Sequence, residues 1–242
     1  MNDKFCDNSM ESLNEQIRLE LSSAGADLVG FADISALPAK MRGSMTRAIS
    51  IAARLDPSVV SELAEGPTQR YWREYDRLNA LLAQICKIGV DILRRSGAQA
   101  LAIEATTAKL DQATLSERLP HKAVATRAGL GWIGKSALLI TPQFGPAVRL
   151  GSVLTDADFQ TGEPVNTSNC GKCRQCVDKC PAQAIVGANW ELGTARESIY
   201  DAFACRKKVR AMVDQRKIVP TICGICIYEC PWTQRYLQAL SD

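Results

Sequence analysis

The chain has 242 residues, 46% of them hydrophobic and 23% charged, with a net charge of +3. That is room for one large domain, or a medium one beside a small one. The charge is too weak for this length to argue for nucleic-acid binding, and no apolar run approaches the ~18–20 residues of a membrane span. The N-terminal MNDKFCDNSMESLNEQ is polar and lacks the apolar core of a signal peptide. A cytoplasmic protein with neither membrane nor DNA as partner is expected.

Ser12-Leu13-Asn14-Glu15 fits a capping box and predicts a helix from about Ser12 to Ala24, stopped near Gly25. Asp27 to Ala32 (DLVGFA) reads as a short strand. Arg47 to Leu55 (RAISIAARL) reads as a second, ended by Asp56-Pro57. A long amphipathic helix is predicted from Thr68 to Ser96, because Tyr71, Tyr75, Leu78, Leu82, Ile85 and Ile92 recur mostly at three- and four-residue steps before Gly97. Ala98 to Glu104 suits a buried strand and His121 to Ala128 a short helix. Ala137 to Thr141 (ALLIT) and Val148 to Thr155 (VRLGSVLT) read as a strand pair joined by PQFGP.

The turn-rich TGEPVNTSN, Thr161 to Asn169, then marks a boundary. The expected fold class is α+β: an α/β-like domain over residues 1–160, followed by a ferredoxin-like two-cluster domain over 161–242, on the strength of the cysteines below.

Of ten cysteines, Cys6 and Cys86 stand alone and eight fall between Cys170 and Cys230. Nothing in the sequence directs export, and reduced thiols clustered in this way read as metal ligands rather than disulfides. Cys170, Cys173, Cys176 and Cys180-Pro181 form C-x2-C-x2-C-x3-C-P. In this run three thiolates from a compact loop hold one 4Fe–4S cubane, and the fourth reaches across to another. The fourth should open a short helix, which the following proline suits.

Cys223, Cys226 and Cys230-Pro231 repeat the last three positions of the run. Pro220 stands at the first and cannot ligate, so Cys205 is the natural replacement. The crossing rule then places Cys170, Cys173, Cys176 and Cys230 on one cluster, and Cys180, Cys205, Cys223 and Cys226 on the other. Zinc is the rival, since paired C-x2-C also makes zinc ribbons, but zinc has no need of the C-x3-C-P ends. Cys86, between apolar positions of the long helix, reads as a packed core residue. Cys6 has no assigned role.

Gly129 to Ser136 (GLGWIGKS) matches both G-x-G-x-x-G and the G-K-S end of a P-loop. A nucleotide site needs a strand before such glycines and a helix after them, so that the helix N-terminus holds the phosphates. The order expected here is helix, then strand, which argues against ATP or NAD. The glycines instead suit a close backbone approach to a large flat ligand or to another segment of the chain.

AGLGWIGK (Ala128 to Lys135), RLGSVLTD (Arg149 to Asp156) and the double-cluster region together resemble epoxyqueuosine reductases and, more distantly, reductive dehalogenases. The resemblance implies an iron–sulfur oxidoreductase. It implies a base-off cobalamin on the N-terminal domain, two clusters feeding electrons to its cobalt, and a cofactor contact through Gly129, Gly131, Trp132, Gly134 and Lys135. It also implies a low-potential donor of ferredoxin or flavodoxin type.

Two departures bear on the reaction. The family places a proton-donating Asp in a D-T-x-P-like segment, where this chain has TLSERLPHK, Thr114 to Lys122, so that Asp111 or Glu117 would have to serve. The family's further C-terminal helical region, associated with tRNA, has no counterpart in the eleven residues after Pro231. The expectation is therefore a short relative outside queuosine synthesis, without tRNA as partner. The alternative is an electron-transfer protein that reactivates a corrinoid enzyme. His121, the single histidine, caps or lines its helix or serves the cofactor. The basic run Arg206 to Arg210 (RKKVR) is a solvated helix face or a dock for an acidic donor.

Overall fold

The structure, a computed structural model, describes residues 3–103, 111–115 and 117–239, with side chains from residue 13 onward. It divides into two compact units. The first comprises Met1–Ala53, Asn79–Leu130 and Arg149–Val165; the second comprises Arg54–Leu78, Gly131–Val148 and Asn166–Asp242. The division differs from a single cut near residue 160, because two stretches from the first half of the chain, 54–78 and 131–148, cluster with the cysteine-rich segment. Among the described residues no helix is long and apolar enough to cross a membrane.

In chain order the helices are α1 (Asp3–Ser23), α2 (Ala39–Arg42), α3 (Pro57–Val60), α4 (Gln69–Arg95) and α5 (His121–Arg127), then α6 (Gln175–Asp178), α7 (Ala202–Arg216), α8 (Ile225–Tyr228) and α9 (Pro231–Gln238). The strands are β1 (Leu28–Asp33), β2 (Arg47–Arg54), β3 (Ala100–Ile103), β4 (Trp132–Ile133), β5 (Leu139–Ile140) and β6 (Val148–Thr155).

The first unit is built on a four-stranded sheet of order β1-β2-β6-β3. β1 and β2 pair antiparallel with Phe31 opposite Ile49, and β3 and β6 pair antiparallel with Ala102 opposite Val153. Side chains alternate across a strand, so β6 serves two faces. On one face Ser152 and Leu154 meet α5: Leu154 joins Ala32, Ala48, Val124 and Ala128 in one core cluster, and His121 Nδ1 lies 2.9 Å from Ser152 Oγ. On the other face Gly151 and Val153 meet α4. A Cβ at Gly151 would lie 2.7 Å from the Cys86 sulfur, and one at Gly89 would lie 3.4 Å from Val153 and 3.8 Å from Leu21 of α1. The buried stripe Leu82, Ile85, Cys86 and Leu93 of α4 supplies that layer. Each such aliphatic side chain contributes about 1.5–3 kcal/mol by leaving water. Cys86 is 2% exposed, and burial pushes its thiol up to about 12, so it is an inert core residue.

Several elements differ from their sequence reading. The first helix starts at Asp3, so Ser12 lies inside it rather than at its start; it ends as expected, with Gly25 at φ +106°. β3 is the sheet's edge rather than a buried strand, and Leu101 is 53% exposed. ALLIT and VRLGSVLT do not pair. β5 instead pairs with β4, Trp132 opposite Ile140, while β6 inserts between β2 and β3. The turn-rich PQFGP closes a bridge between Thr141 and Gly145 rather than a hairpin between those strands. Glu104, the last residue expected in β3, lies outside the described residues, as does Ser116.

The glycine motif runs from the end of α5 into the β4–β5 hairpin, with no helix following. This is the order that a nucleotide site cannot use. Asp56 starts α3 by accepting from the Ser58 N–H at 2.8 Å, and its own N–H donates to Glu74 at 3.0 Å. The Asp-Pro pair therefore stops a strand by nucleating a helix turn.

Candidate metal centre

The second unit gathers its cysteines through short helices. Cys170 to Cys173 is a tight loop in which the Cys173 N–H donates to the Cys170 carbonyl at 3.1 Å, and Gly171 sits at φ +54°. Cys176 follows on α6. The second run is built alike: Cys223, then Gly224 at φ +91° as the N-cap of α8, Cys226 on that helix, and Cys230 as the N-cap of α9 with Pro231 in its first turn. The proline after Cys230 thus opens a helix, as expected of the motif. The proline after Cys180 does not; Pro181 lies in a turn. Cys205 is carried by α7, whose N-cap Asp201 accepts from the N–H groups of Phe203 and Ala204, each at 2.9 Å.

The sulfurs feel one another in two groups. Burial first, then Cys230, Cys170 and Cys173, raise the Cys176 thiol to about 12. Burial likewise raises Cys230 to about 11, with Cys170 and Cys173 adding to it. Burial raises Cys205, with Cys180 adding, and raises Cys223, with Cys205 and Cys180 adding. Cys226, also driven up by burial, senses Cys223, Cys205 and Cys180, and Cys176 from the other group. The structure therefore brings Cys170, Cys173, Cys176 and Cys230 together, and separately Cys180, Cys205, Cys223 and Cys226. As free thiols, Cys176, Cys205, Cys223, Cys226 and Cys230 are held neutral by burial. A metal centre must deprotonate them, and its charge reverses the electrostatics that raise them.

Donors already point at the sulfurs. The N–H of Ile225 bonds Cys223, and those of Trp232 and Thr233 bond Cys230. The Tyr200 hydroxyl bonds Cys205, and burial beside the thiols drives its own ionisation upward. Hydrogen bonds to sulfur tune iron–sulfur centres. Tyr200 escapes a motif search because its only signal is a position five residues before an isolated cysteine.

The residues of AGLGWIGK divide between the units. In the first, Gly129 has φ +74° and packs on the Glu163 backbone. In the second, a Cβ at Gly131 would strike the Ile140 carbonyl, and one at Gly134 would lie 2.7 Å from Ile140 and 3.4 Å from the Cys170 sulfur. Each glycine face is filled by the chain itself. Trp132 is buried edge-to-face against Trp232 at 5.1 Å, and its indole N–H has no partner among the described residues. Leaving such a donor buried and unpaired costs about 1–3 kcal/mol. Lys135 is 5% exposed, and its ammonium donates to the carbonyls of Gly171 and Cys173, both at 2.9 Å, clasping the first cysteine loop.

The first unit holds a cavity of about 600 Å³. Its apolar lining includes Phe31, Ala128 and Leu130, and its polar rim Glu15, Arg18 and Thr161. Elsewhere in that unit, burial raises the half-buried Glu117 carboxyl, against the pull of Arg149 and Lys122. Asp111 is fully exposed and lowered by the Ala113 N–H.

Residues 169–233 match the family described as a 4Fe-4S double cluster binding domain. An epoxyqueuosine reductase from Synechocystis sp. is 34% identical over 122 residues, covering 50% of this chain and 42% of that protein. The chain spans less than half the length of that relative. Among solved structures, a reductive dehalogenase for which a mechanism of B12-dependent dehalogenation is suggested has a TM-score of 0.69 at 19% identity, over 94% of this chain and 33% of that one. An epoxyqueuosine reductase solved with an epoxyqueuosine-modified tRNA-Tyr stem loop has a TM-score of 0.63 at 19% identity, over 93% and 66%. The resemblance to epoxyqueuosine reductases, with reductive dehalogenases as structural neighbours, thus holds, and with it an α+β fold ending in a double 4Fe–4S domain. Exclusion of tRNA draws no support from these neighbours.

Replacing Lys135 by Met removes both loop hydrogen bonds while keeping the side chain's bulk. Iron content is expected to fall by up to half, with loss of one of two electron paramagnetic resonance signals, since the loop carrying Cys170 and Cys173 loses its anchor.

Proposed function

We propose that the chain is an iron–sulfur reductase of the epoxyqueuosine reductase type. Cys170, Cys173, Cys176 and Cys230 hold one 4Fe–4S cluster; Cys180, Cys205, Cys223 and Cys226 hold the other. The observation that carries the reading is the gathering of eight thiols into two sets of four that cross between motifs, met by N–H and O–H donors.

Such clusters supply single electrons at low potential. The chain's part is to bind them, shield them and space them.

The same reading names a base-off corrinoid as the acceptor, supported by the fold shared with a B12-dependent dehalogenase. The glycines of GLGWIG do not supply a cradle for it, being filled by Glu163 and Ile140. The cavity at Ala128 and Leu130 does fit part of the group. An apolar floor with guanidinium, carboxylate and hydroxyl groups at its rim suits the amide-bearing edge of a corrinoid, and Arg18 and Thr161 would hold it there.

For the substrate, the relatives' name brings forward the epoxide of tRNA-borne epoxyqueuosine. Its reduction consumes two electrons and two protons, releases the oxygen as water and leaves a carbon–carbon double bond. Glu117 suits the proton-donating role better than Asp111, because burial keeps its carboxyl protonated to higher pH. A cytoplasmic location accords with a tRNA substrate and reduced thiols.

Purified without oxygen, the chain is expected to hold eight iron and eight sulfide. Cys205→Ala is expected to keep one cluster and damage the other; four iron in the wild type, or stoichiometric zinc, sinks the cluster assignment. Cob(II)alamin added to the anaerobic protein is expected to shift to the four-coordinate or weakly ligated spectrum. A spectrum that stays that of the free cofactor at high protein concentration removes the corrinoid and leaves the electron-transfer role.

For Glu117 the sign is set by its raised pKa. The folded state holds the proton longer than the unfolded state, so this group's contribution to stability declines as pH rises past the ordinary Glu range. Glu117→Gln is expected to flatten that decline in thermal melts at several pH values, and to lower substrate reduction at least tenfold.

A further inference from the structure

Between residues 166 and 242 Lys and Arg outnumber Asp and Glu eleven to seven, and the excess is concentrated on α7. That helix is two-faced. Val209 and Val213 are buried, and Cys205 lies on the same inner side, one turn before Val209. On the outer side Phe203, Lys207 and Arg210 follow at steps of four and three, so they form one stripe. Lys207, Lys208 and Arg210 are exposed, and none makes an ion pair with a described residue. The stripe is bounded one turn on by the exposed Asp214.

Phe203 is 52% exposed, an uncommon placement for a large aromatic in the first turn of a helix already capped by Asp201. Two further exposed apolar residues, Val186 and Val219, flank Cys180 and Cys223 in sequence. An aromatic anchor beside unpaired cations, on the far side of one helix from a redox ligand, has the makings of a small transient interface.

We propose that the outer face of α7 docks an acidic, low-potential electron-carrier protein, which reduces the cluster held by Cys205 across the width of that helix. The inference rests on the cluster reading above. The partner's chemistry follows from the face: acidic residues answer Lys207, Lys208 and Arg210, and an apolar contact answers Phe203. A helix is only ~10–12 Å across, so a carrier seated there is brought close to the Cys205 sulfur. In the step the carrier loses one electron and the cluster gains it, and no bond in the protein forms or breaks. Attraction between unlike surfaces acts chiefly on the encounter rate and weakens with salt.

The test uses the full chain loaded with its clusters and fully reduced flavodoxin as the probe, followed by the flavin's absorbance in stopped flow. Reversing the charges in Lys207→Glu with Arg210→Glu is expected to slow cluster reduction at least tenfold at low salt and to abolish most of its salt dependence. Iron content and reduction by dithionite, a small molecule that needs no docking face, stay at the wild-type level. Removing the charges alone, Lys207→Gln with Arg210→Gln, is expected to give an intermediate rate, and Phe203→Ala a slower rate at every salt concentration. An unchanged flavodoxin rate in the charge-reversed protein overturns the proposal. So does an unchanged flavodoxin rate joined to weakened binding of a tRNA stem loop, which would make the face a nucleic-acid surface. Wild-type protein that dithionite cannot bleach defeats the cluster reading itself, and the docking proposal with it.

Discussion

Eight sulfurs must share a small volume, five of them buried where their charge is disfavoured, and the second unit is organised by that constraint. Cys176, Cys205, Cys223, Cys226 and Cys230 are pushed toward neutrality by burial first and by neighbouring thiols second, so the assembled polypeptide is poised against its own reactive form. Two responses are visible. The chain aims N–H and O–H groups at the sulfurs: Ile225 at Cys223, Trp232 and Thr233 at Cys230, Tyr200 at Cys205. It also places a buried ammonium, Lys135, on the carbonyls that shape the first cysteine loop. Both arrangements favour negative charge at the centre, and both suit clusters that bring iron to neutralise the thiolates.

The short helices follow from the same demand. α6 and α8 are four residues each, too short to persist on their own. Their role is to turn the chain so that Cys176 and Cys226 point inward one step after the loops that carry Cys173 and Cys223. Gly224 at φ +91° permits the second of these turns, and its bare α-carbon lets Leu63 pack closely: a Cβ there would lie 2.8 Å from the leucine. α7 is built differently. It has a capped start, a left-handed Lys217 at its end and anchors through Arg216 to the carbonyls of Glu65 and Pro67. A lone cysteine outside a compact loop needs such a rigid carrier, because it has no neighbouring ligand to fix its position.

What the sequence makes legible divides along local and non-local lines. Ferredoxin spacing, the periodicity of α4 and the Asp-Pro stop after β2 are local patterns, and each is recoverable from a few residues. The capping box at Ser12 was equally local and misled, because a helix that continues upstream to Asp3 overrides it. Pairings were the weak point. β5 and β6 are adjacent in sequence and both apolar, yet β5 turns back on β4 while β6 becomes an inner strand of a sheet. Alternation alone cannot separate these outcomes, since the C-terminal half of β6 is buried on both faces and shows no clean apolar–polar alternation. The partnership of Tyr200 with Cys205 and the clasp of Lys135 on Gly171 are likewise side-chain to distant-partner contacts that no spacing rule encodes.

The glycine loop shows how a motif can be right in position and different in reason. Close approach was the correct physical demand at Gly131 and Gly134. The approaching group is Ile140 of the β4–β5 hairpin, with Cys170 beside Gly134, and at Gly129 it is the backbone of Glu163. The loop is thus conformationally committed: side chains at these positions would push on backbone or on a cluster ligand, not into open space. Its link to chemistry then runs through a side chain it delivers, the clasping ammonium of Lys135, inside the metal-bearing unit. A loop that serves a cofactor by bracing the neighbouring metal centre needs the same glycines as one that cradles the cofactor. The two uses separate on what fills the space above the α-carbons, and here that space is protein.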